Sequence, residues 1–261
     1  MMIAVTDSGI GGLWVLASLR KKFPYEEYIY YSDNRFQPYG IRNSDFLKER
    51  FHAVSEELAL MGVELTVVGC NTMSVTVGLK GGIETNMDSV WICPEAHPER
   101  EKTLIMATPL SERSDYIVSL KEKGARVLSD GALAGIIEGL YEGCGEGTSS
   151  SVLEKEAERI LKAEPLLSDG WEAVSLGCTH YIYFRELIAR LSGAERIYDG
   201  VSPAVLRAAK HIENFLKSRG GRRENFVRRA PCGNGGVRFV FSGADESQKY
   251  GRIFSKIANG E

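Results

Sequence analysis

The chain has 261 residues, 43% of them hydrophobic and 26% charged, the balance of a folded globular protein whose core is large enough for one big domain or, as we read it, two modules. A formal net charge of −3 gives no global electrostatic reason to expect a nucleic-acid or membrane partner, and no segment reaches the roughly 18 apolar residues of a membrane span. The five cysteines, at 70, 93, 144, 178 and 232, are odd in number, far apart and never spaced Cys-x-x-Cys, so we expect a cytoplasmic protein with no disulfide framework and no metal site.

In chain order, Ile3 to Val5 predicts a strand that ends at Asp7 and Ser8. Gly9-Ile10-Gly11-Gly12 follows, but its glycine spacing is not Gly-x-Gly-x-x-Gly and no phosphate lysine follows, which rejects a nucleotide fold. Tyr28 to Tyr31 predicts the next strand, and Pro38-Tyr39-Gly40 a turn, either structural or a ligand-facing rim. A helix is predicted from Ser44, with Leu47, Phe51, Val54, Leu58 and Met61 on one stripe and Gly62 at its end.

Leu65 to Val68, Leu104 to Met106 and Val174 to Leu176 are further strands, and Val237 to Phe241 is a last strand before a last helix. Gly143 to Ser151 reads as a surface loop, after which Ser151 and Glu154 form a capping box. Lys217, Arg219, Arg222, Arg223, Arg228 and Arg229 make a basic stretch around a connection from Arg219 to Gly236, read as a solvated loop. Short apolar runs alternating with amphipathic segments predict βαβ units: an α/β fold with mostly parallel central sheets.

The most informative feature is an internal echo. Leu65-Thr66-Val67-Val68-Gly69-Cys70-Asn71-Thr72 recurs in form as Ala173-Val174-Ser175-Leu176-Gly177-Cys178-Thr179-His180. A weaker echo pairs Ile3-Ala4-Val5-Thr6-Asp7-Ser8 with Leu104-Ile105-Met106-Ala107-Thr108-Pro109. Ligands of open α/β sheets bind at the carboxyl ends of the strands, where both echoes carry their polar residues. If two such halves face each other, Cys70 and Cys178 reach one ligand from opposite sides.

A cysteine between a buried strand and a helix sits at the positive end of that helix, which is expected to lower its pKa from about 8.5 and favour the thiolate. Read singly, each cysteine could equally be a small buried apolar side chain; two matched copies flanked by polar residues favour chemistry. Thr72 and Thr179 could hold a carboxylate or simply cap helices. His180 can share or move a proton, or be structural, and Asp7 can titrate or cap the helix after Gly12.

Together, Asp7-Ser8-Gly9-Ile10-Gly11-Gly12-Leu13, Pro38-Tyr39-Gly40, Cys70-Asn71-Thr72, Ala107-Thr108-Pro109, Leu176-Gly177-Cys178-Thr179-His180-Tyr181 and Ser242-Gly243 closely resemble the glutamate racemases of the aspartate/glutamate racemase superfamily. The resemblance implies two similar, pseudo-twofold-related α/β domains, residues 1–93 plus 205–261 and residues 94–204, with the active site in the crevice between them. It implies catalysis by Cys70 and Cys178, with Asp7 assisting the first and His180 the second. Asp7, Ser8, Pro38, Tyr39, Gly40, Asn71, Thr72, Thr108, Thr179 and His180 are implied to hold the substrate.

It also implies glutamate as substrate, no cofactor, a homodimer, and a role in peptidoglycan and cell-shape maintenance. Inverting an α-carbon requires a proton removed from one face and another delivered to the opposite face, which two thiols can do without moving the substrate. No lysine stands at either Gly-Cys site as a pyridoxal anchor. A racemase for aspartate or another acidic amino acid, or an inactive binding protein of the same fold, are the alternatives. The chain departs from the family pattern at Trp14, at Asp199-Gly200 and at Cys93-Pro94-Glu95-Ala96-His97-Pro98.

Overall fold

The structure, a computed structural model, describes residues 1–79, 88–95, 102–142, 150–218 and 236–260. Two parallel sheets organise it. The first has the order β4-β3-β1-β2-β9, from β1 (Met2–Asp7), β2 (Glu27–Ser32), β3 (Leu65–Val68), β4 (Asp88–Trp91) and β9 (Val237–Phe241). The second has the order β6-β5-β7-β8, from β5 (Thr103–Ala107), β6 (Arg126–Ser129), β7 (Ala173–Leu176) and β8 (Arg196–Tyr198). Set side by side, β4-β3-β1-β2 and β8-β7-β5-β6 are the same order, so the echo in the sequence is a repeat of topology, with β9 an addition at the edge of the first sheet.

The central strands are almost wholly buried and correspondingly apolar. β3, β5 and β7 carry runs such as Leu-Thr-Val-Val and Thr-Leu-Ile-Met-Ala, the continuous pattern expected of parallel strands covered on both faces. Register fixes which residues correspond. Gly69 N donates to Thr6 O and Gly177 N to Met106 O, each at 2.8 Å, so Cys70 matches Cys178, as the strong echo has it. The weak echo slips by one residue: Ser8, not Asp7, is the counterpart of Thr108, and Asp33 and Asp130 match as the residues whose N–H groups bond Asp7 O and Ala107 O. A one-residue slip reverses the facing of every side chain in a strand, so register outranks residue type.

Helices cover both sheets. α1 (Leu13–Lys22) buries Leu13, Val15, Leu16 and Leu19 and ends in Arg20, Lys21 and Lys22, where cations suit the negative end of the helix. α2 (Ser44–Leu60) starts at the residue expected, with Asn43 as its cap, accepting from Phe46 N at 2.8 Å. Two short helices follow the strand ends: α3 (Asn71–Met73), continuing into a wide turn over Ser74–Gly78, and α4 (Pro109–Glu112), capped by Thr108. α5 (Asp115–Glu122), α6 (Leu133–Glu142), α7 (Ser150–Lys162) and α8 (Arg185–Ser192) complete the second half. α9 (Val201–Ser218) and α10 (Ser247–Asn259) return to the first half and pack against α1.

Helix α7 starts one residue before the predicted Ser151. Residues 143–149, the basic connection 219–235, Cys144 and Cys232 lie outside the described residues. Among the described residues, no helix is long and apolar enough to cross a membrane.

Two departures from the family pattern touch each other. The chain leaves the first sheet at Ile92 and Cys93 and comes back through Asp199 and Gly200 at the head of α9, where Asp199 Oδ1 accepts from Val201 N at 2.8 Å. A Cβ on Gly200 would collide with the Cys93 carbonyl oxygen and lie 2.6 Å from Ile92 Cγ1. Because the obstacle is backbone, no side-chain rotation relieves it. Gly200→Ala is therefore expected to destabilise the protein by about 2 kcal/mol and lower Tm by about 6 °C in a thermal melt, whereas an unchanged Tm would show that the two crossings separate freely.

Candidate active site

Both sheets are doubly wound in the sense that β1 is followed by a strand on one side and later by β3 on the other, and β5 likewise by β6 and β7. At that reversal the connections leave in opposite directions and open a gap at the carboxyl ends of the strands. Asp7, Ser8 and Cys70 sit at the gap of the first sheet, and Thr108 and Cys178 at that of the second. The gaps meet in one crevice of about 170 Å3, lined by Asp7, Ser8, Gln37, Pro38, Tyr39, Gly40, Cys70, Asn71, Thr72, Thr108, Ala134, Gly135, Glu138, Cys178, Thr179 and His180. That is smaller than the roughly 300–1,000 Å3 of drug-sized sites, a fit for a small metabolite and not for a dinucleotide.

All twelve residues to which the resemblance gave a catalytic or substrate-holding role line this crevice, and they bridge the two halves. Thr179 Oγ1 donates to Asp7 Oδ2 at 3.0 Å, and Thr72 Oγ1 lies 3.0 Å from Thr108 Oγ1, with Ser111 closing a hydroxyl triangle. Neither hydroxyl weighed as a cap serves as one: Thr72 joins this triangle and Thr179 reaches across to a carboxylate, while the side-chain cap in the crevice is Thr108, at the start of α4. Asp7 does not cap α1, whose N-cap has no side-chain bond; its Oδ1 accepts from Ser8 N at 2.6 Å. Gly11 explains the glycine cluster: a Cβ there would strike Thr179 Oγ1 and stand 3.0 Å from Asp7 Oδ2, so the close approach of the halves requires a bare α-carbon.

The electrostatics of Cys70 differ from the expectation. Burial pushes its thiol well above the usual range, the nearby Asp7 carboxylate adds to this, and the Met73 N–H opposes them without prevailing. The helix that follows is only three residues long before it widens, so its N-terminus contributes little against desolvation. Asp7 is itself raised by burial, against the pull of His180, Ser8, Thr179 and Cys70. On the other side, burial opposes the charged form of His180, yet its hydrogen bonds to Cys178 and Glu138 hold it well above the usual histidine range. His180 Nδ1 is 3.7 Å from Cys178 Sγ, and Nε2 is 2.9 Å from Glu138 Oε2.

Glu138 is the residue that sequence reasoning missed, together with Gln37, Ala134 and Gly135. Its signal was present: one glutamate directly after Leu133-Ala134-Gly135-Ile136-Ile137, on the turn above Ala134 and Gly135 of a helix otherwise apolar up to that point. It is 4% exposed and also accepts from Ile10 N at 3.1 Å. Burial would raise its pKa, but His180, Lys249 and the Ile10 N–H bring it below the ordinary carboxylate range. Asn71 is buried with neither its amide nitrogen nor its carbonyl oxygen partnered among the described residues, so both are free to pair with a molecule in the crevice.

The rim is held from behind. Asp33, wholly buried, accepts from the Tyr39 hydroxyl and takes a two-pronged bond from Arg50, at 2.9 and 2.8 Å, which fixes Pro38-Tyr39-Gly40 against Thr108. Trp14, the third departure, packs edge-on against Tyr183 at 5.6 Å, while the Tyr183 hydroxyl donates to Ile10 O at 2.8 Å, so an aromatic contact ties α1 to the second half directly behind the crevice. Cys93 lies away from the crevice, with the Arg207 guanidinium 3.8 Å from its sulfur.

No protein-family model matches the chain. The glutamate racemase of Clostridium acetobutylicum is 31% identical over 222 residues, covering 82% of this chain and 84% of that protein. The glutamate racemase of Halothermothrix orenii is 28% identical over 258 residues, covering 95% and 96%. Among solved structures, Escherichia coli glutamate racemase in complex with L-glutamate and the activator UDP-MurNAc-Ala superposes with a TM-score of 0.73 at 20% identity, covering 98% of this chain and 94% of that one. A Bacillus anthracis glutamate racemase gives 0.69 at 19% identity, covering 100% and 94%. Identity of this extent with the clostridial enzyme over most of both chains, joined to the shared architecture, means that the chain belongs to the glutamate racemase family.

Proposed function

We propose that the protein interconverts L- and D-glutamate by direct, cofactor-independent proton transfer between the α-carbon and Cys70 and Cys178, supplying D-glutamate for peptidoglycan in a bacterial cytoplasm. The observation that carries this reading is that two matched Gly-Cys turns from different sheets open on one crevice. In it, the chain divides into 1–93 with 205–261 and 94–204, as the membership of the two sheets suggests, and acts as a homodimer by family resemblance.

Cys70 holds its proton in the resting protein, since burial and Asp7 oppose the thiolate, and Asp7 receives or returns that proton. His180, oriented by Glu138, exchanges a proton with Cys178. Ser8, Pro38, Tyr39, Gly40, Asn71, Thr72, Thr108 and Thr179 hold the substrate, their hydroxyls, amides and N–H groups stabilising carboxylate charge as it grows in the carbanion-like transition state. The crevice is mostly buried, so each such dipole acts with little screening by water.

Cys70→Ala and Cys178→Ala are each expected to abolish racemisation, by about a thousandfold or more, with unchanged far-UV circular dichroism; following optical rotation with time checks this. Activity near wild type in either variant removes the two-base assignment. Glutamate is expected to be turned over with a much higher kcat/KM than aspartate or alanine in the same assay, and a preference for aspartate would reassign the substrate.

In D2O, L-glutamate is expected to yield D-glutamate labelled at the α-carbon from the first turnovers while the remaining L-glutamate stays protonated. The proton taken on one face remains on that thiol, and the one delivered comes from a thiol already exchanged with solvent. Proton NMR after chiral separation at low conversion reads the pattern; equal early labelling of both enantiomers points to a single base.

A further inference from the structure

A buried polar chain reaches Cys178 from the far end of the sequence. Helix α10 sends two neighbouring side chains inward. The Tyr250 hydroxyl lies 2.9 Å from Ser32 Oγ and donates to Glu138 Oε1 at 3.3 Å, and Lys249 Nζ stands 3.5 Å from the same oxygen and 3.4 Å from Glu246 Oε1. The Lys249 side chain is 11% exposed. The other oxygen of Glu138 meets Ile10 N and His180 Nε2, and His180 Nδ1 faces Cys178 Sγ. From α10 to β7 the order is ammonium, carboxylate, imidazole, thiol.

We propose that Lys249 is a positioning residue for proton transfer at Cys178: its ammonium keeps Glu138 ionised and turned so that His180 presents Nδ1 to the sulfur. This rests on the racemase reading above. A buried carboxylate whose only strong partner is a histidine can take that histidine's proton, leaving two neutral groups and no fixed orientation. A lysine ammonium beside the carboxylate opposes that collapse, because it adds positive charge that the reaction does not remove. The tyrosine hydroxyl directs the same oxygen without charge.

The groups facing Glu138 are His180 from the turn after β7, Lys249, Tyr250 and Glu246 from α10, Tyr30 from β2, Tyr183 from the second half and, beyond His180, Asp7 from β1. The three tyrosines are all raised, chiefly by burial, and stay neutral. The charged set is therefore Asp7, Glu138, His180, Lys249 and Glu246. Removing a cation from it raises the proton affinity of every remaining member, and removing an anion lowers it.

The test is Lys249→Met, with Lys249→Arg and Glu246→Gln as companions, read by NMR titration of the His180 ring and by the pH profile of kcat/KM for L-glutamate. In Lys249→Met both limbs of the profile are expected to move up by about one pH unit, the His180 ring to lose imidazolium character at neutral pH as its proton passes to Glu138, and kcat at neutral pH to fall about tenfold. Lys249→Arg is expected to restore the wild-type profile, and Glu246→Gln to move it slightly down. Lost activity with unmoved limbs and unchanged His180 imidazolium character would reduce Lys249 to a structural role and overturn the proposal. If Lys249→Met does not fold, Glu246→Gln decides by the same readings, and no shift there overturns it. A wild-type protein that does not racemise glutamate fails the racemase reading instead; the His180 titration then still decides whether Lys249 governs the pair.

Discussion

The crevice depends on two equivalent hydrogen bonds, Gly69 N to Thr6 O and Gly177 N to Met106 O. Each is the last rung between a central strand and the strand that bears a cysteine. Beyond it the two connections part, because right-handed crossovers carry the chain to opposite sides of the sheet. The residue after each glycine is therefore the first that can leave the ladder, and in both halves it is cysteine. Parallel strands alone would give one such position per sheet; the repeated order gives a facing pair.

The pair is matched in position and unmatched in charge. Around Cys70 stand a carboxylate and buried apolar surface, from β1 and from Val68, Met73 and Phe51. Around Cys178 stand an imidazole and, behind it, a carboxylate, an ammonium and a tyrosine hydroxyl. Thr72 and His180 occupy corresponding places after the two cysteines, yet Thr72 joins a hydroxyl triangle while His180 joins a charged line. Sequence divergence within one repeated topology has thus made two chemically distinct faces.

The strands visible in the sequence were those with apolar runs, and the three that were not, β4, β6 and β8, are edge strands. Asp-Ser-Val-Trp, Arg-Val-Leu-Ser and Arg-Ile-Tyr carry only two or so apolar residues each, since an edge is paired and covered on fewer sides. The edge strand β9 was legible because Val-Arg-Phe-Val-Phe packs aromatic rings against Tyr30 and Tyr250. The site residues were legible because they follow strand ends, where local order and function coincide. Glu138, Lys249 and Tyr250 lie within helices distant in sequence from either cysteine, and no local pattern links them. The Cys70 environment failed for another reason: the sequence shows a helix after the strand, but not its brevity or the depth of burial.

The contact between Gly200 and Cys93 makes two distant stretches of sequence behave as one locus. With the Cys93 carbonyl seated where a Cβ would be, a side chain at 200 and the path of the backbone at 92–93 cannot vary independently, and substitutions there should be strongly non-additive. The order in which such changes accumulate is then constrained: a shift of the crossing at 93 must precede or accompany a larger residue at 200, and glycine at 200 is a ratchet tooth that locks the crossing once it has closed.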